Sequence, residues 1–341
     1  MTGEERKALM QNVTKSLGKI IPIISIILPI SLLYYWDPLS FEHTWQGRTF
    51  YLFFIWLIIL ETILDWERLQ INFAVKKSLK GFLKMFLFAF AVAAPTIYVT
   101  FSNLYGLNLW IAEIAKKYVL KCNPNFFKTH NFVYFANVLP IPIELLVLTI
   151  SFCLIILLVY GIKNMQVFSG SIFFLGVMGL LFAIDDLYPG GKFTPLQMFV
   201  PITAFFAAQL LKMFGYATTI TEGYHLIYGR VSILKVDNIP LFMIGWICAG
   251  VESLIIYTIV IFLFLKKSGI STKRKILYFV VGAAVTYFLN IMRIFTLAMI
   301  ALGGGDIWPF HNFYGQFYSI TWITLYPLMI IGVENLLKRK I

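Results

Sequence analysis

The sequence predicts an all-α, polytopic membrane protein: a transmembrane helical bundle of about eight spans plus one interfacial or re-entrant segment, forming a single integral membrane domain over residues 1–341. Three observations carry this. Sixty per cent of the 341 residues are hydrophobic and only 13% are charged, with a mean hydropathy of +0.82. A soluble chain of this length has too little interior to hide so much apolar side chain. Apolar stretches of about 17–25 residues, the length a helix needs to cross about 30 Å of hydrocarbon, recur along the chain. The stretches are continuous rather than alternating in polarity, which favours helices over a barrel.

The elements follow in order. A first apolar run covers about Lys19–Trp36, a second Phe50–Trp66 and a third Gly81–Phe101. A long connection bearing Asn103, Asn108, Cys122 and His130 ends at the Pro140/Pro142 pair. Runs at Ile141–Tyr160 and Val167–Ile184 come next, then a stretch at Phe193–Phe214 interrupted by Pro195 and Pro201. A more polar segment leads to Gly245 and three strong runs at Ile247–Leu265, Ile276–Leu302 and Tyr318–Leu337. The first run is too long and too internal for a cleaved signal peptide, so it serves as its own targeting segment.

Loop charge sets the orientation. Lys266, Lys267, Lys273, Arg274 and Lys275 fill one short loop, and Lys338, Arg339 and Lys340 close the chain. Arg6, Lys7, Lys15 and Lys19 lie in the N-terminal segment, and Arg68, Lys76, Lys77 and Lys80 follow the second run. All four groups are expected on the cytoplasmic side. With both ends inside, the number of crossings is even, yet there are nine apolar runs. Phe193–Phe214 is the weakest, because helical segments tend to end before a proline. It is therefore expected to lie in or re-enter the outer interface. The net charge of +12 is accounted for by these flanking loops, and no nucleic-acid-binding motif occurs. Three cysteines (Cys122, Cys153, Cys248) without CxxC spacing exclude a disulfide framework or zinc ribbon. No H-E-x-x-H or paired-His spacing suggests a metal, and no cofactor is implied.

This topology gathers three chemical groups. Cys248 opens the sixth crossing at its outer end. Arg293 lies about 17 residues above the cytoplasmic start of the seventh, roughly 26 Å at 1.5 Å per residue, just beneath the outer boundary of about 30 Å of hydrocarbon. His311 lies in the outer loop before the last crossing, among Trp308, Tyr314 and Tyr318. Each has a plainer use: a free cysteine as a small hydrophobe, an arginine snorkelling to the interface, a histidine in an aromatic belt. Together they form a set. A thiol beside an imidazole is an activated nucleophile, and a guanidinium stabilises the oxyanion of acyl transfer. Gly250 permits close backbone approach, and Asn290 shares the face of Arg293 one turn away. Glu252, four residues after Cys248, is a partner candidate for Arg293 or His311. Glu61 and Glu144 are either proton or ion ligands or hydrogen-bond acceptors from a neighbouring helix. Asp185–Asp186 marks an outer loop boundary.

The series Cys248-Ala249-Gly250, Asn290-Ile-Met-Arg293 and His311, in this order and spacing, resembles the exosortase/archaeosortase family of membrane transpeptidase-like enzymes, whose pattern is Cys-[Ser/Thr]-Gly, then Asn-x-x-Arg, then His. The proline-bearing stretch at 195–201 and the polar segment 223–238 are similar as well. The likeness covers roughly Phe193 to Gly315, giving a catalytic core of about 193–320, and leans to the archaeal branch. Ala249 departs from the pattern by lacking the hydroxyl. The resemblance implies Cys248 as nucleophile, Arg293 as oxyanion stabiliser and His311 as acid/base. It also implies secreted protein substrates with a short motif, a hydrophobic C-terminal tail and a basic end, passed on to a lipid or surface acceptor. The rival expectation is a transporter or channel using Glu61, Glu144 and Arg293, although no inverted repeat supports it.

Overall fold

Among the described residues of the computed structural model, six helices are long and apolar enough to cross a membrane: Lys19–Trp36, Gly81–Leu104, Phe135–Tyr160, Ile162–Ile184, Thr272–Leu302 and Phe317–Leu337. The expected crossings at Phe50–Trp66 and Ile247–Leu265 correspond to helices of 16 residues (α2, Thr49–Leu64) and 17 residues (α11, Val251–Lys267). The helical, polytopic class therefore holds. The structure describes residues 3–42, 47–69, 79–122, 124–129, 131–187, 198–225 and 229–339. Pro195, His130, Lys76 and Lys77, which the sequence reading used, lie outside the described residues. Two compact units result, Met1–Leu187 and Tyr188–Ile341.

The first unit contains α1 (Gly3–Trp36), α2, α3 (Leu79–Leu104), α4 (Leu107–Cys122), the short α5 (Phe126–Thr129) and α6 (Phe132–Val138), α7 (Pro140–Tyr160), α8 (Ile162–Met165) and α9 (Ser169–Leu187). Proline opens α7, where its missing N–H is one the helix could not have used. In this unit Arg48 and Glu144 are buried and engaged with one another. Arg48 donates Nε to Glu144 Oε1 at 2.9 Å and one terminal nitrogen to Oε2 at 3.1 Å. Its other terminal nitrogen reaches Asp37 at 2.8 Å, and the Tyr51 hydroxyl adds a 2.8 Å bond to Glu144. Glu61, only 1% exposed, accepts the Gly170 N–H at 2.8 Å, together with the N–H and hydroxyl of Ser171. These are the first N–H groups of α9, which have no partner inside their own helix. A carboxylate on α2 thus caps α9 and meets the positive end of its dipole. Of the two uses expected for these glutamates, both take the hydrogen-bonding one.

The second unit contains α10 (Phe199–Met213), strands β1 (Thr218–His225), β2 (Gly229–Val236) and β3 (Ile239–Ile244), α11, α12 (Thr272–Leu302) and α13 (Gln316–Arg339). Pro201 does not interrupt the helix as expected. It is the third residue of α10, within the first turn, where no intrahelical N–H bond is lost. At 15 residues the helix is about 22 Å long, short of a full crossing.

The polar segment is an antiparallel meander, order β1-β2-β3, a feature added to the helical class. Its second turn is a two-residue hairpin in which Asp237 and Asn238 take φ of 51° and 65°. Both residue types tolerate positive φ, as a primed turn requires. Thr218 ties the sheet to α10 by donating its hydroxyl to the Ala208 carbonyl at 3.0 Å.

The three helices that follow converge near their basic ends. Tyr257 of α11, Ile323, Tyr326 and Ile330 of α13 share a buried cluster. The Tyr257 hydroxyl donates to the Phe279 carbonyl at 2.9 Å and the Tyr326 hydroxyl to the Tyr278 carbonyl at 2.7 Å. Arg274 and Tyr278 both bond Glu334. This end is closed by mutual hydrogen bonds; the chemistry lies toward the other end of α12.

Candidate active site

The path from sheet to site is one short turn. After Ile244, residues Trp246–Ala249 form a 3₁₀ turn, and the Cys248 N–H bonds the Gly245 carbonyl at 3.0 Å. Cys248 therefore sits just ahead of α11 rather than inside the span expected from Ile247. Gly250 follows with φ +85°, a conformation in which a side chain would strain the backbone. Space excludes one too: a Cβ there would lie 2.8 Å from Cγ of Asn290.

That close approach has a purpose. Asn290, 2% exposed in the C-terminal half of α12, donates its side-chain amide to the Cys248 carbonyl at 2.9 Å. The bond fixes the turn that carries the thiol. Ala249 is fully buried, so the missing hydroxyl corresponds to a site that accepts a small apolar group. Thr203 of α10 places its hydroxyl 3.4 Å from the Ala249 carbonyl and 2.8 Å from the Tyr287 hydroxyl.

Arg293 stands one turn along α12 from Asn290. It donates a terminal guanidinium nitrogen to the backbone carbonyl of His311 at 2.8 Å. Residues Phe310–Tyr314 form a wide π-type turn, closed by Gly315 N–H to Phe310 carbonyl at 2.7 Å. A Cβ on Gly315 would meet Arg293 Nε at 2.7 Å, so this glycine lets the loop lie flat on the guanidinium. In the sequence Gly315 stands out only as the end of the stretch that carries the family likeness. Its role was invisible because nothing in the local pattern says which helix the loop covers.

Electrostatically the set is joined through Arg293, whose charge acts on Cys248, Glu252 and His311. Glu252 Oε1 and Arg293 Nε are buried and, among the described residues, have no hydrogen-bond partner. Burial lowers the His311 pKa below its ordinary value of 6.5, and the Arg293 charge lowers it further, so the imidazole is neutral at pH 7 and able to accept a proton. Its ring packs edge-on to Trp308, centroids 5.9 Å apart, and among the described residues it is not hydrogen-bonded to Cys248. Catalytic hydrogen bonds often tighten only when substrate is bound. The structure thus brings together Cys248, Gly250, Asn290, Arg293 and the His311 backbone, with Glu252 within electrostatic reach.

A family model for the transmembrane exosortases matches residues 126–328, more than half of the chain and all of these positions. The chain belongs to the transmembrane exosortase family. No curated protein and no solved structure matches it. As an exosortase it falls among multi-pass membrane proteins with a general protein-sorting role of the transpeptidase or protease kind.

Proposed function

We propose that this exosortase is a membrane-embedded cysteine transpeptidase that cleaves C-terminal sorting signals of secreted proteins at the outer face of the cell membrane, with both termini cytoplasmic. The observation that carries the reading is the pair of hydrogen bonds from one turn of α12: Asn290 to the Cys248 carbonyl and Arg293 to the His311 carbonyl. Two segments distant in sequence, the Cys248 turn and the His311 loop, are held by one helix face.

The roles follow. His311 takes the proton of the Cys248 thiol, and the thiolate adds to the carbonyl carbon of the scissile amide. Arg293, with donor capacity left over, stabilises the oxyanion of the tetrahedral intermediate. His311 then gives the proton to the departing amine as the C–N bond breaks, leaving a thioacyl-enzyme. A lipid or surface acceptor, or water, resolves the thioester and returns the thiol. Asn290 and Gly250 hold the nucleophile's turn, and Glu252 stands within electrostatic reach of Arg293.

The transporter reading requires Glu61 and Glu144 as pathway charges, whereas both are engaged by α9 and by Arg48. The test compares wild type with Cys248→Ala and Cys248→Ser in the native host. Full-length tailed precursors accumulating beside a stable, membrane-inserted variant support the proposal. Unchanged processing removes it.

A further inference from the structure

β3 is an edge strand, and it runs straight into the nucleophile: Ile244 ends the strand and Cys248 follows four residues later. Among the described residues, no main-chain hydrogen bond joins Ile239–Ile244 to any segment other than β2. An edge strand of this kind presents unpaired N–H and C=O groups in the alternation that an extended peptide matches.

The edge is also limited in length. Pro240 has no N–H to offer and sits beside a register shift opposite Leu234/Lys235. Ile244 is buried at 1% exposure, so the usable edge is Leu241–Met243, about 10 Å at roughly 3.3 Å per residue. A stretch so short, interrupted by proline at its far end, is poorly suited to sheet-to-sheet pairing of two copies. It is well suited to a few residues of substrate.

Register defines the two faces. Ile244 pairs with Ser232 and Phe242 with Leu234, and both β2 partners are buried. Met243 pairs with Ile233 on the opposite face and is 52% exposed. A peptide added to this edge places its side chains beside Met243, since direct cross-strand neighbours lie about 4.5–5.5 Å apart. The turn downstream is held by the Asn290 bond to the Cys248 carbonyl, so the distance from paired segment to thiol is fixed.

We infer that the β3 edge at Leu241–Met243 is the docking strand for the substrate, which adds to the sheet as an extended segment next to its scissile bond. The inference rests on the sorting reading and names how that site recognises its substrate: through the main chain of an extended peptide, with Met243 touching the flanking side chains. The occupant is a polypeptide, and the hydrophobic tail of the substrate is not required for this contact.

The experiment introduces a benzophenone amino acid at Met243, and separately at the exposed Thr219 on the opposite edge strand β1. Each is placed in the full-length Cys248→Ala variant, in membranes that have accumulated tailed precursor. On illumination the expected result is a band at the mass of enzyme plus precursor from position 243 and none from position 219. The adduct persists when the precursor's hydrophobic tail is exchanged for a different apolar sequence. Accumulated precursor with no adduct at 243, or equal adducts at both positions, overturns the edge assignment. An adduct at twice the enzyme mass assigns the edge to a second copy of this chain instead. If precursor does not accumulate at all, the sorting reading itself fails, and the inference falls with it.

Discussion

Arg48 in the first unit and Arg293 in the second are both guanidiniums within apolar helical surroundings, yet they are partnered differently. Arg48 places nitrogens on both oxygens of Glu144 and on Asp37. Among the described residues Arg293 makes one bond, to a backbone carbonyl, while its Nε and the nearby Glu252 Oε1 have none. An unsatisfied buried polar group costs about 1–3 kcal/mol. Around Arg48, where stability alone decides, each guanidinium nitrogen is given a carboxylate partner, although among the described residues the nearby Tyr98 hydroxyl has none. Where partners are withheld, as around Arg293, the donor capacity remains for a charge that develops during reaction. Buried charge in a membrane bundle is thus not itself a mark of function; its unspent hydrogen-bonding capacity is the sharper criterion.

The largest expected effect tests the structural side of that contrast. Arg48→Met leaves Glu144 buried without its cation, and losing one partner of a buried pair costs about 3–5 kcal/mol. The thermal midpoint of the detergent-solubilised protein should fall steeply, whatever happens to processing. A variant as stable as wild type would dissolve the comparison.

Arg293→Gln should do the reverse. Processing drops by about 10²–10³-fold, the range for removing one oxyanion donor, while the thermal midpoint barely moves. Equal losses of stability and activity would make Arg293 another Arg48.

Gly250→Ala lies between the two. Its φ of +85° costs a side chain about 1–2 kcal/mol, and the Cβ would displace Asn290 from the Cys248 carbonyl. Stability and processing should fall together, and an alanine variant with full activity would detach Asn290 from the site.

The smallest effect is in pH. The His311 pKa is lowered, by burial first and by Arg293 second, so the acid limb of the processing rate should have its midpoint below 6.5. For stability the sign is the same: the folded state resists protonation, so His311 costs nothing above its unfolded pKa. It destabilises as pH falls below that value toward the lower folded one. A midpoint above 6.5 would place a different base in the reaction.

Much of the bundle was legible in the sequence because hydropathy reports directly on what lipid requires. The Cys248, Asn290 and Arg293 grouping was legible for a related reason. A topology fixes depth, and a spacing of three residues on a helix fixes a face. Two features were not. The sheet between α10 and Cys248 lacks a lipid-scale signal, and its clue was local: the Asp237–Asn238 pair suited to a tight hairpin. Gly315 over Arg293 is a tertiary contact between a loop and a helix, which no periodicity encodes. The prolines of the Phe193–Phe214 stretch misled where Pro201 was read as a break, because its position within the first turn depends on where the helix begins.

The central claim is that Cys248 carries the acyl group. The most direct measurement is intact-mass analysis of the purified exosortase after incubation with a tailed precursor. A hydroxylamine-sensitive adduct mapped to the peptide containing Cys248, and absent from Cys248→Ala, is the predicted result. Processing that proceeds in Cys248→Ala, or an adduct that maps to another residue, would contradict the account.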